Sequence, residues 1–338
     1  RIVQRAILEL VQSVPRIRSE LTAGLNYGGV PGGGFGVPGA ISKAVCCAQQ
    51  GGYFIRTDIK SFFTAVPRKK VVNDICDVLG DDTGFVQLFR ASAETAIHDA
   101  AKYGENIHCF PISEIGVAQG SSLSPLLCNY LLREFDRKFN QRGIVCIRYI
   151  DDFIMFGKNQ RDIRKAFQSA CVCLNASGLS AYSPFDTAVN AKAEHGAEGK
   201  GFDFLGCHVL PNRVRPTDGK RKSIILRVQR IFDECLKACS DPDWAIFSAN
   251  QVTTFSGATI FVSNVVRAWG NTYSFCNDAR SIASIDKEIG IRFVAFRKAF
   301  AQRRGRQAEG KRRNALGLFS LLDCEKDNNL MSARTLSS

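Results

Sequence analysis

Apolar positions along this chain recur with two different periods. "RIVQRAILELVQ" (1–12) has helical spacing, which places Ile2, Ala6, Leu10 and Ile7 near one face. "GYFIRTDI" (52–59) reads as a buried strand, and "KSFFTAVPRKKVVNDICDVL" (60–79) as a turn followed by a helix. "DDTGFVQLFRASAETAI" (81–97) predicts a helix and "GVAQGSSLSP" (116–125) a loop. In "LLCNYLLREFDRKFN" (126–140), Leu127, Leu131, Phe135 and Phe139 recur every four residues, which predicts one amphipathic helix. "GIVCIRYIDDFIMFG" (143–157) predicts a hairpin of two apolar strands. A helix from Arg161 to Ala176 and a strand at "FDFLGCHVL" (202–210) follow. After Pro216 the pattern turns basic and helical, and "KSIILRVQRIFDECLKAC" (222–239) sets Ile224, Val228, Ile231, Cys235 and Leu236 on one side. "NYGGVPGGGFGVPGA" (26–40) is too rich in Gly and Pro for a regular element.

One place breaks this pattern. Asp151 and Asp152 stand side by side within the apolar run "RYIDDFIMFG". An uncompensated charge is costly to bury, so the pair needs a partner. Asp58 closes the strand at 52–59, and neighbouring strands of one sheet would bring the three acids together. Clustered carboxylates raise one another's pKa unless cations bind them. Two Mg²⁺ ions about 4 Å apart suit such an oxygen-rich site.

Composition narrows the class. A chain of 338 residues, 45% of them hydrophobic, is long enough for a substantial core and for two or three domains. Its 45 Lys and Arg against 32 Asp and Glu leave a formal charge of +13, which points to a polyanionic partner, nucleic acid before a membrane surface. No apolar run approaches the roughly 18 residues that span a bilayer. Thirteen cysteines include no C-x-x-C pair, and only four His accompany them. They read as small buried side chains in a reducing cytoplasm rather than as zinc ligands. A formal G-x-G-x-x-G at Gly34, Gly36 and Gly39 follows a Gly/Pro stretch instead of a strand, which argues against a dinucleotide fold.

Four motifs then stand in one order: "RTDIKSFF", "GVAQGSSLSPLLCNYLL", "RYIDDFIMF" and "FLGCHV". In that order and approximate spacing the chain resembles bacterial reverse transcriptases, the group that contains group II intron maturases, retrons and defence-associated enzymes. The likeness runs from "RIVQRA" to "RAWGNTYSF". It implies an α+β right-hand polymerase fold with an antiparallel-sheet palm and a helical thumb. The expected layout is fingers at 1–50, palm with embedded fingers helices at 51–215, thumb at 216–300 and a basic tail at 301–338.

The resemblance also implies roles. Asp58, Asp151 and Asp152 would be catalytic and would hold two Mg²⁺, for which Mn²⁺ can substitute, with help from the Ile59 carbonyl. Phe63 would lie beneath the incoming sugar and exclude a 2′-hydroxyl, while Phe62 packs. Gln119, Gly120 and Ser121 would face the nucleotide, and Ser124 and Pro125 would be the N-cap and first residue of the next helix. Tyr149, Phe204, Leu205 and Gly206 would face primer or template. Implied partners are an RNA template, in the form of a dedicated noncoding RNA, deoxynucleoside triphosphates and the DNA product. A protein partner or homo-oligomer stays open, and no membrane is expected.

The expected activity is RNA-directed DNA synthesis in bacterial antiphage defence. A maturase that acts as an RNA-binding splicing factor, and a retron-type enzyme, are the alternatives. An RNA-templated RNA polymerase is disfavoured by Phe63 and by Y-x-D-D. Three departures from the family stand out. The basic triphosphate clamp is expected upstream of residue 1, the Gly/Pro stretch replaces an arginine-containing segment, and "SGLSAYSPFDT" lacks the usual Lys. Lys192 and Lys200 are the candidates for that missing cation. The run "RKAFAQRRGRQAEGKRRNAL", with eight Lys and Arg against one Glu, is expected to contact an RNA backbone.

Overall fold

The computed structural model describes residues 2–80, 83–94, 100–109, 114–140, 143–186, 192–239, 251–304 and 316. The chain divides into two compact units, Arg1–Arg213 and Val214–Ser338.

In the first unit, α1 (Ile2–Ser13) and α2 (Pro15–Thr22) lead to α3 (Gly36–Gln50). The face expected of α1 is only partly right: Ile7 is buried, but with Leu8 and Val11, while Ile2 and Leu10 are exposed. This helix carries apolar residues on most of its circumference, and only its neighbours choose the side. α3 also corrects the sequence reading, because it begins inside the Gly/Pro stretch at Gly36.

β1 (Tyr53–Asp58) follows, then the single turn α4 (Phe62–Ala65), α5 (Arg68–Leu79) and α6 (Thr83–Ala93). The predicted helix at 126–140 is broken into α7 (Ser124–Leu131) and α8 (Arg133–Lys138), because Leu132 leaves helical geometry at φ −92°, ψ 8°. Leu131 is therefore only partly buried, and Asp136 is carried into the interior. β2 (Ile144–Tyr149) and β3 (Asp152–Gly157) form the predicted hairpin. α9 (Gln160–Ala176) starts where the Asn159 side chain accepts a hydrogen bond from the Asp162 amide. β4 (Glu194–Ala197) completes an antiparallel sheet of order β2-β3-β1-β4.

One face of that sheet presents Ile55, Phe153, Met155 and Cys146 to the core with residues of α5, α7, α8 and α9. On the other face Phe54 and Phe156 meet the ring of Phe202, at 4.9 and 5.5 Å between centroids. The predicted strand at 202–210 is two strands, β5 (Phe202–Phe204) and β6 (Cys207–Leu210), reversed at Leu205 and Gly206. Positive φ at both turn residues, 49° and 80°, matches the twist of a tight hairpin.

β7 (Arg213–Pro216) leads into the second unit, where α10 (Asp218–Ala238), α11 (Phe255–Thr272) and α12 (Ala279–Arg304) pack together. Ile224, Val228, Ile231 and Cys235 of α10 are buried as expected, and Leu236 partly so. Stacked rings of Phe232, Phe296 and Phe255 form the centre, with interplanar angles of 9° and 6°. Beyond Arg304 the basic run lies outside the described residues. Most described cysteines are buried, and none of them is in a disulfide. Among the described residues no helix is long and apolar enough to cross a membrane.

Candidate active site

Directly paired residues of an antiparallel sheet point to the same face. The register pairs Asp58 with Asp152 and Asp152 with Tyr149, so these three form one row across β1, β3 and β2. Asp151 sits in the two-residue turn between β2 and β3. Ile150, the other turn residue, has φ 60°. That is unfavourable for a β-branched side chain, at a cost of order 1–3 kcal/mol. The Asp151 carbonyl accepts the Ile59 amide at 3.0 Å, which ties the turn to the end of β1. The structure thus employs the N–H of Ile59, the residue expected to lend its carbonyl.

Asp58, Asp151 and Asp152 are each half-buried. Burial, a hydrogen bond to Asp58 and the charges of Asp58 and Asp151 push the Asp152 carboxyl up to about 8, with Arg56 opposing. Burial also raises Asp151, the turn's own backbone N–H groups and Lys192 oppose, and the charge of Asp58 adds to the rise. The donor set is all carboxylate oxygen, which fits a hard divalent cation better than a soft one. Among the described residues, no three His, Cys, Asp or Glu side chains converge closely enough to cage a metal alone. Mg²⁺ rarely asks for such a cage, since it keeps water and takes substrate phosphate as ligands. The chemistry of the donor set fits a hard divalent cation.

Around the acids, the segment Ser180–Tyr182 runs beside the end of β1. The Tyr182 amide donates to the Asp58 carbonyl at 3.1 Å, and the Thr57 hydroxyl donates to the Tyr182 carbonyl at 2.7 Å. Lys60 and Lys192 each place an ammonium 5.1 Å from the centroid of the Tyr182 ring. Lys192 is close enough to lower the Asp151 pKa. Lys200 is elsewhere. It ends a short turn whose Glu198 amide donates to Gly52, before the start of β1, roughly 20 Å of strand from Asp58.

Ser61 has φ 46° and lets the chain turn sharply between Asp58 and Phe62. Phe62 is buried at 2% exposure, whereas Phe63 is only partly buried against the same core. The Val117 amide donates to the Phe63 carbonyl at 2.7 Å and brings the 118–121 loop alongside. Gln119 and Gly120 are exposed and Ser121 half-buried. Ser124 does not cap α7. It is the first helical residue, Leu123 stands at the cap, and the Ser124 hydroxyl donates to the Ala118 carbonyl at 2.6 Å. The loop is closed on itself by that bond.

The expected primer-facing set divides. Tyr149 joins the row of acids, half-buried. Phe204 is 1% exposed, so its ring anchors the hairpin and cannot face a primer as expected. Leu205 and Gly206 remain at the tip, half-buried, on a hairpin separate from the sheet of the acids. Sequence reasoning missed Tyr182, Lys60 and the environment of Arg148. For Arg148 a signal existed: a cation in an apolar strand needs a partner as much as two aspartates do.

The reverse transcriptase (RNA-dependent DNA polymerase) family matches residues 1–209. No curated protein matches the chain. Solved structures with similarity include truncated apo telomerase from Candida tropicalis, 14% identical over 64% of this chain and 44% of that one, at a TM-score of 0.43. Telomerase from Candida albicans, in complex with a TWJ fragment of telomeric RNA, is 10% identical over 90% of this chain and 53% of that one, at 0.42. Apo telomerase from Candida tropicalis is 14% identical over 100% and 59%, also at 0.42. The chain spans 44 to 59% of the length of these three.

Proposed function

We propose, on the premise that this chain belongs to the reverse transcriptase family, that it is an RNA-directed DNA polymerase with Asp58, Asp151 and Asp152 as its catalytic carboxylates. The observation that carries this reading is the register setting Asp58 across from Asp152 with Asp151 at the adjoining turn. These carboxylates would hold two Mg²⁺ ions, or Mn²⁺ in their place. When bound, such cations supply Lewis acidity toward a primer 3′-oxygen and toward departing pyrophosphate. The protein's part is to orient the reactants. The raised pKa of Asp152 would couple metal affinity to pH, because carboxylates ligate a cation in their deprotonated form. Tyr149 lies in the same row and would face a primer terminus.

Phe63 is the sugar gate of this reading. Its ring is exposed enough to meet a ligand and packed enough to be rigid, so a 2′-oxygen would collide with it. Gln119, Gly120 and Ser121, on the loop that follows Val117, would face the nascent base pair. Lys192 stands in for the lysine missing from "SGLSAYSPFDT" and offers positive charge to the leaving phosphates. The first unit serves as palm with fingers helices, and the helical second unit as thumb. Lys222, Arg227 and Arg230, exposed on α10, are suited to phosphate backbone. The template in this reading is a dedicated structured RNA.

Primer extension on an RNA template with deoxynucleotides and Mg²⁺ tests the activity. Product is expected from the native chain and none from Asp151→Asn, and near-normal extension by that variant would overturn the assignment. Sequencing the RNA and DNA that copurify decides between a defence, a retron and a maturase role.

A further inference from the structure

Arg148 is fully buried, yet it lies one residue before the row of acids. It pairs with Phe153 in the register, so its side chain leaves the face that carries Asp152 and enters the helical layer behind the sheet. There the guanidinium is held at three points. Its Nε donates to Asp136 Oδ1 at 2.7 Å, its Nη2 donates to Asp136 Oδ2, and its Nη1 donates to Asn129 Oδ1 at 3.0 Å. The same Nη1 donates to the carbonyl of Ile150 at 2.8 Å. That carbonyl belongs to the turn residue whose backbone is left-handed. Gly28 closes the other side, where an added Cβ would stand 2.8 Å from the Ile150 nitrogen, and its carbonyl accepts from Asn129 Nδ2 at 2.7 Å.

We propose that Arg148, clamped by Asp136 and Asn129, is a positioning residue that holds Ile150 in its left-handed conformation and thereby aims the Asp151 carboxylate. The inference rests on the polymerase reading for its kinetic consequence and on geometry for the rest. A fully buried charge needs a stronger reason than packing, since an apolar side chain of similar length would fill the strand position without a buried partner. The reason is that one rigid planar fork can meet a carboxylate, an amide and a strained carbonyl together. A lysine at 148 offers a single nitrogen and cannot reach all three.

The test separates positioning from stability. Arg148→Met combined with Asp136→Ala removes both charges and adds no bulk beside Gly24, where an added Cβ would already stand 2.5 Å from Asp136 Cβ. This double variant is expected to melt cooperatively. Its kcat for primer extension is expected to fall at least tenfold, with the nucleotide KM within about threefold. The Ile59 amide, which donates to Asp151, is expected to exchange with deuterium at least tenfold faster, while amides in the middle of β1 keep their protection. A folded double variant with native kcat and native Ile59 exchange overturns the proposal. If the double variant does not fold, Arg148→Lys, which keeps a charge opposite Asp136, is expected to show the same two changes, and native values there overturn it equally. If the native chain extends no primer, the polymerase reading fails, and Ile59 exchange alone decides whether the guanidinium holds the turn.

Discussion

Two hairpins in the first unit reverse direction in two residues, and both do so with a non-glycine residue at positive φ. At the tip of β5 and β6, Leu205 has φ 49° and is followed by Gly206 at φ 80°. Beneath it the buried rings of Phe202 and Phe204 and an Asp203–His208 contact at 2.7 Å fix the register. At the tip of β2 and β3 the corresponding residues are Ile150 and Asp151, a β-branched side chain and an acid, with no glycine to relieve the turn. That hairpin is held by a buried arginine, a buried aspartate and a glycine pressed against its backbone. The first turn places a glycine at one of its two left-handed positions. In the proposed reading the second turn aims a carboxylate, and its surroundings enforce a strained geometry.

The largest expected effect separates the two tips. Asp151→Ala should lower the rate of primer extension at least about a thousandfold, near 4 kcal/mol of transition-state stabilisation, with the fold intact by circular dichroism. Asp58→Ala should do the same. Leu205→Ala should stay within about tenfold of the native rate. Comparable losses at both tips would erase the distinction between an aiming turn and a supporting one.

A second comparison lies within one dipeptide. Phe62→Ala removes a fully buried ring and should cost about 3–5 kcal/mol of stability in chemical denaturation. Phe63→Val should cost less than that and raise ribonucleotide incorporation at least tenfold, about 1.4 kcal/mol of discrimination. The readout is the ratio of catalytic efficiencies for the two nucleotide types. Relaxed selection in Phe62→Ala, with Phe63→Val unchanged, would shift the gate by one residue.

The two ends of β1 offer a third contrast. Asp58 closes one end, and beyond the other the Glu198 amide binds Gly52 with its side chain 2% exposed. Burial pushes the Glu198 carboxyl up to about 7, from an ordinary 4.5. The fold holds this proton more tightly than the unfolded chain, so ionisation destabilises it. The penalty is absent below about pH 4.5, grows as pH rises and is complete above about 7. Glu198→Gln should therefore raise stability at pH 8 by up to about 3 kcal/mol and leave it unchanged near pH 4. Melting temperatures at the two pH values measure the difference, and an equal gain at both would remove ionisation as the cause.

The smallest effect returns to the hairpin of β5 and β6. Gly206→Ala puts a Cβ on a left-handed residue and should cost about 1–2 kcal/mol. Chemical denaturation reads that cost. The metal concentration for half-maximal extension should not move, because nothing in this turn bears on the acids.

The sequence by itself determined which segments hold the candidate acids. A strand ending in Asp58, a hairpin with two acids at its turn and a polar loop between them are local patterns, written in period-two apolar runs and their interruptions. The existence of most helices was equally legible, because caps and 3.6-residue spacing act over one or two turns. What only the tertiary structure decided is what each buried face meets. Helix α1 is apolar on most sides, so of its expected face Ile7 is covered and Ile2 and Leu10 are not, and Leu8 and Val11 are covered because of what packs there. The helix over 126–140 breaks at Leu132 and turns Asp136 inward, toward an arginine on a strand that its own spacing cannot reveal. Asp58 lies across from Asp152 because the β1–β3 register joins residues almost a hundred positions apart. Phe62 and Phe63 are chemically identical, and only the folded chain buries the first at 2% exposure and leaves the second partly covered. Local sequence records that a residue wants an apolar or a charged partner. Its identity depends on chain segments distant in sequence, and those meet only in the folded chain.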